Sequence, residues 1–202
     1  PVRTNNLWWS EGITSYYGDL ISRRAGINTD EEYLKHVGEV ISQLQNNPAR
    51  LKVNAEESSF KVWDGGGSQG FGRMSYYVKG ELIGVCLDLK IRQLTNGKHN
   101  LDDVMKQLYL QCGRGSKPGF DEDDIRLTVN KVAGTDLTAF YNLLCRSTEE
   151  LPLAECLGYA GLMASSGSKP VVTPSTGFFG EFNRQTQNID VRFIMGEGAA
   201  SK

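Results

Sequence analysis

Two short stretches carry the residues best suited to chemistry. The first is WWSEGITSYY, in which a carboxylate, Glu11, stands two residues after a pair of tryptophans. The second is SYYVKGELIG, residues 75 to 84, in which Tyr76 and Tyr77 enter an apolar run ahead of Lys79 and Gly80. A carboxylate against an aromatic wall raises the cost of folding unless something compensates its charge. Thr14 and Ser15, one helical turn on, can donate or orient hydrogen bonds but cannot neutralise it. Glu11 therefore has two readings. It is a first-turn carboxylate favoured by the helix dipole, or it is a metal ligand, the single carboxylate of a His-His-Glu zinc site with a fourth position left for water. The tyrosines likewise form either a packing pair with one wet hydroxyl or a phenol that donates to an oxyanion formed during attack on a carbonyl.

The elements that must position these groups are helical. LWWSEGITSYYGDLISRRAG reads as a first helix stopped by Gly26. Asp30 is expected to cap the next, which ends before Pro48. AEESSFKVW reads as a short helix, and DGGGSQGFG, with five glycines in nine residues, as a loop rimming the cleft near Tyr77. In MSYYVKGELIGVCLDLKIRQLT the apolar residues cover most of the circumference, which marks the centre of a bundle. Glu81, Asp88 and Arg92 leave one narrow polar stripe. Asn100 and Asp121 start two further helices, with Asp103 placed as a capping carboxylate. LTAFYNLLCRST continues the helical pattern, and Pro152 opens a last short helix.

After Gly158 the apolar stretches become short and β-branched or aromatic, as in FFGEF and IDVRFIM, and the spacing residues become Gly, Ser, Thr and Pro. That pattern predicts strands and turns. The expected organisation is a mainly α helical bundle over 1–158 and a linker with a few strands over 159–202. The strand-rich tail, about 40 residues, is short for an independent β domain. The chain opens at Pro1 and closes directly after a strand, so both ends read as cuts.

Composition removes several function classes. With 22 basic and 24 acidic residues the formal net charge is −2, which gives no long-range pull toward nucleic acid. No apolar run approaches the ~20 residues of a membrane span. The four cysteines form no Cys-x-x-Cys pair and read as buried free thiols. GGGSQGFG lacks the Gly-Lys-Ser/Thr end of a phosphate loop. DEDD at 121–124 lacks calcium-loop spacing and reads as helix N-terminal charge. The two histidines, His36 and His99, are not paired at ligand spacing and read as surface residues.

WWSEGITSYYGDL followed by SYYVKGELIGVCLDLKIR resembles the glycyl aminopeptidase family of gluzincin zinc metallopeptidases. The helical segments NNPARLKVNAEESSFKVW, NGKHNLDDVMKQLYLQCG, GFDEDDIRLTVNKVAGTDL and STEELPLAECLGYAGL extend the resemblance over most of the first 158 residues. It implies the C-terminal half of a gluzincin catalytic domain, with Glu11 as the third zinc ligand and Tyr77 as the catalytic tyrosine. Tyr76 is out of register by one residue, about 100° round the helix. Trp9, Thr14, Ser15, Tyr76 and Lys79 are implied as supporting residues. GFFGEF, IDVRFIM and GEGAASK resemble the opening of the family's next module, a PDZ domain whose groove helix the sequence does not contain.

The family's His-Glu-x-x-His helix, with two zinc ligands and the general base, is not in this sequence. The resemblance thus implies part of an aminopeptidase that removes small residues, Gly or Ala, from peptide N-termini, inactive and without tight zinc by itself. The alternative is a non-catalytic helical module presenting a PDZ peptide-binding domain. Helices facing the absent half are expected to expose Trp8, Trp9, Tyr16 and Tyr77. That would favour a homo-oligomer or association with the catalytic half.

Overall fold

The computed structural model describes residues 3–64, 74–114 and 119–163, together with the backbone of 178–183 and 185–194. The chain forms two compact units, Pro1–Ala164 and Ser165–Lys202.

The first unit is helical. A π-helical turn, Trp8–Gly12, leads into α1 (Ile13–Arg24), followed by α2 (Asp30–Gln45), a 3-10 turn (Pro48–Leu51) and α3 (Ala55–Lys61). Then come α4 (Tyr76–Leu94), α5 (Leu101–Leu108) with a π turn at Tyr109–Gly113, α6 (Glu122–Ala133), α7 (Thr138–Cys145) and α8 (Leu153–Tyr159). The mainly α class expected from the sequence is the one found. The loop expected at DGGGSQGFG lies outside the described residues beyond Asp64.

α4 is the axis of the unit. Every residue from Lys79 to Asp88 is buried, as its all-round apolar pattern requires. α1, α2, α3, α5, α6 and α8 all pack on it, as does the Trp8–Gly12 turn. The stripe of Glu81 and Asp88 is buried too, so each needs a partner inside the protein. Asp88 finds two: it accepts from the Leu101 backbone N–H at 2.8 Å and from Arg92 Nε at 2.7 Å. One carboxylate thereby satisfies an orphan donor at the start of α5 and ties α4 to it.

Local signals set most helix ends. Gly26 takes the left-handed φ of +71° just beyond α1, a conformation costly for residues with a Cβ. α5 and α6 begin in reciprocal capping boxes, Asn100 with Asp103 and Asp121 with Asp124. The expected cap of α2 is corrected by one residue. Thr29, extended at ψ 168°, accepts from the Glu32 N–H and completes a capping box, while Asp30 is already helical and pairs with Arg23. All four cysteines are buried free thiols.

The expectation of an exposed face around the tryptophans is overturned. Trp8, Trp9 and Tyr16 are 0%, 3% and 4% exposed, packed within the core of this chain, and only Tyr77 reaches partway to solvent. Their aromatic area is covered by α4 and by Tyr141 rather than left for a partner.

The second unit contains an antiparallel hairpin, β1 (Phe178–Asn183) and β2 (Asn188–Ile194), with Asn183 opposite Asn188 and a bulge between Phe179 and Gly180. Gln187 in the connecting turn has φ +58°, and such turns favour that region.

Candidate active site

The two chemistry-bearing stretches meet through their glycines. A Cβ on Gly80 would stand 2.3 Å from the Trp8 carbonyl oxygen and 2.9 Å from Gly12 Cα. A Cβ on Gly12 would stand 2.6 Å from Gly80 Cα and 2.7 Å from the Tyr76 carbonyl oxygen. No side chain fits at either position, so the Trp8–Gly12 turn lies backbone against backbone on the first turns of α4. The turn itself is wide: the Ile13 N–H bonds back five residues to the Trp8 carbonyl. Its Trp8 N–H is taken by Ser59 Oγ on α3 at 2.9 Å, and Ser59 in turn donates to the Ala55 carbonyl. π turns inside helices concentrate at functional sites, and this one carries Glu11.

At this crossing Tyr77 Oη donates to Glu11 Oε2 at 3.0 Å, across 66 residues of sequence. Burial first, and then the hydrogen bond to the Glu11 carboxylate, push the Tyr77 pKa up to about 12. The phenol is therefore a proton-bearing donor throughout the neutral range. Tyr76 is buried and stacks on Tyr77, with ring centroids 4.8 Å apart and planes at 28°, which limits where the Tyr77 ring can swing. Tyr77 thus gives the Glu11 carboxylate a neutral donor, and in the same turn Trp9 sits edge-on to Trp8 at 5.6 Å.

The other residues singled out in the sequence do different work. Thr14 donates to the Ser10 carbonyl at 2.5 Å, and Ser15 to the Glu11 main-chain carbonyl at 3.3 Å; neither reaches the Glu11 carboxylate. Lys79 is 1% exposed. Its Nζ donates to the Ser147 carbonyl, just beyond the end of α7, at 3.3 Å. It therefore binds α4 to the carbonyl-rich end of α7, away from Glu11 in bonding. Desolvation holds its pKa below the usual lysine value.

His36 stays partly exposed, with 40% of its side chain accessible, but it is not unpaired. Its Nε2 lies 3.0 Å from Asp19 Oδ2 and 3.1 Å from Glu81 Oε1, joining α2 to α1 and α4. His99 remains exposed beside Asp103, 3.2 Å away. Sequence reasoning missed this grouping, and it missed the role of Gly12 and Gly80. The repeat of a glycine directly after Glu11 and three residues after Tyr77 was the one signal that could have exposed the crossing.

A metal site fits Glu11 only in part. Glu11 is half-buried, and among the described residues only Tyr77 bonds to its carboxylate. That donor set suits one ligand position of a zinc-type centre. Such centres take at least three protein ligands, and among the described residues no group of three His, Cys, Asp or Glu donors includes Glu11.

The sequence model of the M61 glycyl aminopeptidases matches residues 1–83, a span that contains both Glu11 and Tyr77. Among solved structures, an aminopeptidase N family protein from Idiomarina loihiensis superposes with a TM-score of 0.81 at 27% identity. The match covers 98% of this chain, which spans 36% of that protein's length. No curated protein matches. The family model thus covers the first 83 of the 202 residues, and the structural likeness extends over nearly the whole chain.

Proposed function

We propose that this chain, a relative of the M61 glycyl aminopeptidases, is the C-terminal part of the catalytic domain of a zinc-dependent aminopeptidase, followed by the opening strands of a PDZ domain. The observation that carries this reading is the Tyr77 hydroxyl on the Glu11 carboxylate at 3.0 Å, held there by the crossing of Gly12 on Gly80. Glu11 is the carboxylate this chain would give the metal, with two imidazoles and the general base contributed from outside it. When bound, a zinc ion in such a site polarises the scissile carbonyl and lowers the pKa of a bound water.

The rest of the chemistry available here belongs to side chains. Tyr77 holds a proton on Oη and presents it beside Glu11, where a carbonyl oxygen gaining negative charge would accept it as a hydrogen bond. Tyr76 limits the Tyr77 ring to that sector by stacking. Trp8 and Trp9, both buried, anchor the turn that carries Glu11 in the core. The preference for small N-terminal residues is carried with the family. The residues that would bind the substrate amine lie outside the groups assembled here.

The test is Tyr77→Phe in the full-length protein. Removing one oxyanion donor should lower kcat by about 10²–10³ with bound metal unchanged. Unaltered turnover would remove Tyr77 from the mechanism, and loss of metal together with activity would show that the phenol supports Glu11 rather than the transition state.

A further inference from the structure

We propose that Asp19, His36 and Glu81 form a second divalent-cation site, of the zinc type, that staples α1, α2 and α4 together. This site is separate from Glu11 and does not rest on the function proposed above.

The geometry is that of converged donors. One imidazole nitrogen and two carboxylate oxygens, from three different helices, lie within 4.8 Å of one another. The two distances from His36 Nε2, 3.0 and 3.1 Å, are close to the ~3.3 Å edge of a tetrahedron with metal–ligand bonds near 2.0–2.1 Å. A cation between them therefore requires only a small closing motion of the two oxygens. The mixed imidazole and carboxylate set favours a first-row transition ion over calcium or magnesium, which prefer all-oxygen shells. Three protein ligands leave a fourth position for water.

Charge points the same way. Glu81 is 8% exposed, and its only ionic partner among the described residues is His36; the same holds for Asp19. With both carboxylates ionised the cluster carries two negative charges against at most one positive, and the positive charge exists only if the imidazole is protonated. A buried carboxylate short of positive charge is costly, and a dication satisfies both carboxylates with the imidazole neutral. The ligands also sit on rigid parts of helices. Glu81 lies one turn beyond Tyr77 on the same face of α4, so the staple would brace the helix that presents the phenol.

The experiment uses the metal-stripped chain titrated with zinc chloride near neutral pH by calorimetry, and with cobalt(II) by visible absorption. The proposal expects saturable, stoichiometric zinc binding with micromolar or tighter affinity. A tetrahedral cobalt spectrum and a melting temperature that rises with zinc are also expected. Glu11→Gln should keep all three. His36→Ala and Asp19→Asn should each weaken binding by at least about 10- to 100-fold, the loss that even an outer-shell partner causes, with far-UV circular dichroism unchanged. Zinc binding that survives His36→Ala and Asp19→Asn, binding abolished by Glu11→Gln instead, or no saturation below millimolar zinc would each overturn the proposal.

Discussion

The seam between the Trp8–Gly12 turn, α1 and α4 differs in kind from the α5–α6 pair packed beside it. In α5 and α6 the helix starts are capped locally, although Asp102 of α5 also accepts from Tyr17 Oη across 85 residues. Each helix opens in a capping box whose two members are three residues apart, and each buries an apolar stripe at helical spacing: Leu101, Val104 and Leu108, then Ile125, Val129 and Val132. In the seam the polar work is long-range. Tyr77 reaches Glu11 across 66 residues, Trp8 reaches Ser59 across 51, and His36 reaches Glu81 across 45. The first region is built to be stable, and the second holds buried polar groups whose satisfaction depends on one close crossing.

The strongest way to break that comparison is to push the seam apart. Gly80→Ala places a Cβ 2.3 Å from the Trp8 main-chain oxygen, and backbone cannot turn aside as a side chain would. Overpacking of this kind costs about 3 kcal/mol or more, and it separates Tyr77 from Glu11 as well. Gly38→Ala in α2 is the matched control, because a Cβ there meets nothing within 4 Å. It should stabilise the protein by roughly 0.5–1 kcal/mol through helix propensity. Denaturant melts of the two variants give opposite signs if the crossing is as tight as described, and equal signs if the helices are free to shift.

A smaller effect tests whether the seam's buried charge is a burden. Lys79 is held below its ordinary pKa of 10.5 by desolvation. As pH rises from the lowered folded value toward 10.5, the unfolded chain still binds the proton that the folded protein has released. Stability therefore increases over that window and is lower by the full amount beneath it. Each pKa unit of lowering is worth about 1.4 kcal/mol. Lys79→Met should remove this alkaline rise, and it should leave stability at neutral pH equal or up by about 1 kcal/mol, because the apolar residue fills the same space without a charge to desolvate. A neutral-pH loss well beyond that would show that the bond to the Ser147 carbonyl outweighs the buried charge.

These contrasts explain what could be read in the sequence. Asn100, Asp103, Asp121 and Gly26 act within one turn of their own position, so residue type and spacing sufficed to place helix ends, and the apolar run around Leu82 and Leu87 marked α4 as central. The one displaced cap, Thr29 for Asp30, shows the limit of that approach: both types can cap, and only the extended backbone at Thr29 decides. Glu11 and Tyr77 could be singled out by type and by resemblance, but their contact could not, because it depends on where two helices cross. The burial of Trp8, Trp9 and Tyr16 was misjudged for the same reason. Aromatic content alone does not say which neighbour covers it, and here α4 and Tyr141 do. The pairing of His36 was missed because its partners, Asp19 and Glu81, lie on other helices.

The smallest expected effect sharpens the comparison from the local side. Asn100 Oδ1 accepts from the Asp102 N–H at 2.8 Å and, more loosely, from the Asp103 N–H at 3.4 Å, while Asp103 returns a bond to the Asn100 N–H at 3.1 Å. Asn100→Ala removes the side-chain acceptor and leaves the Asp103 bond in place, so the cost should be about 1 kcal/mol. Asp88, which still accepts from the Leu101 N–H, holds the helix start against α4. The loss should therefore appear as a small drop in melting temperature with turnover of the full-length protein unchanged. A larger drop, or any change in activity, would mean that α5 is positioned by its cap rather than by its bonds to α4 and α1.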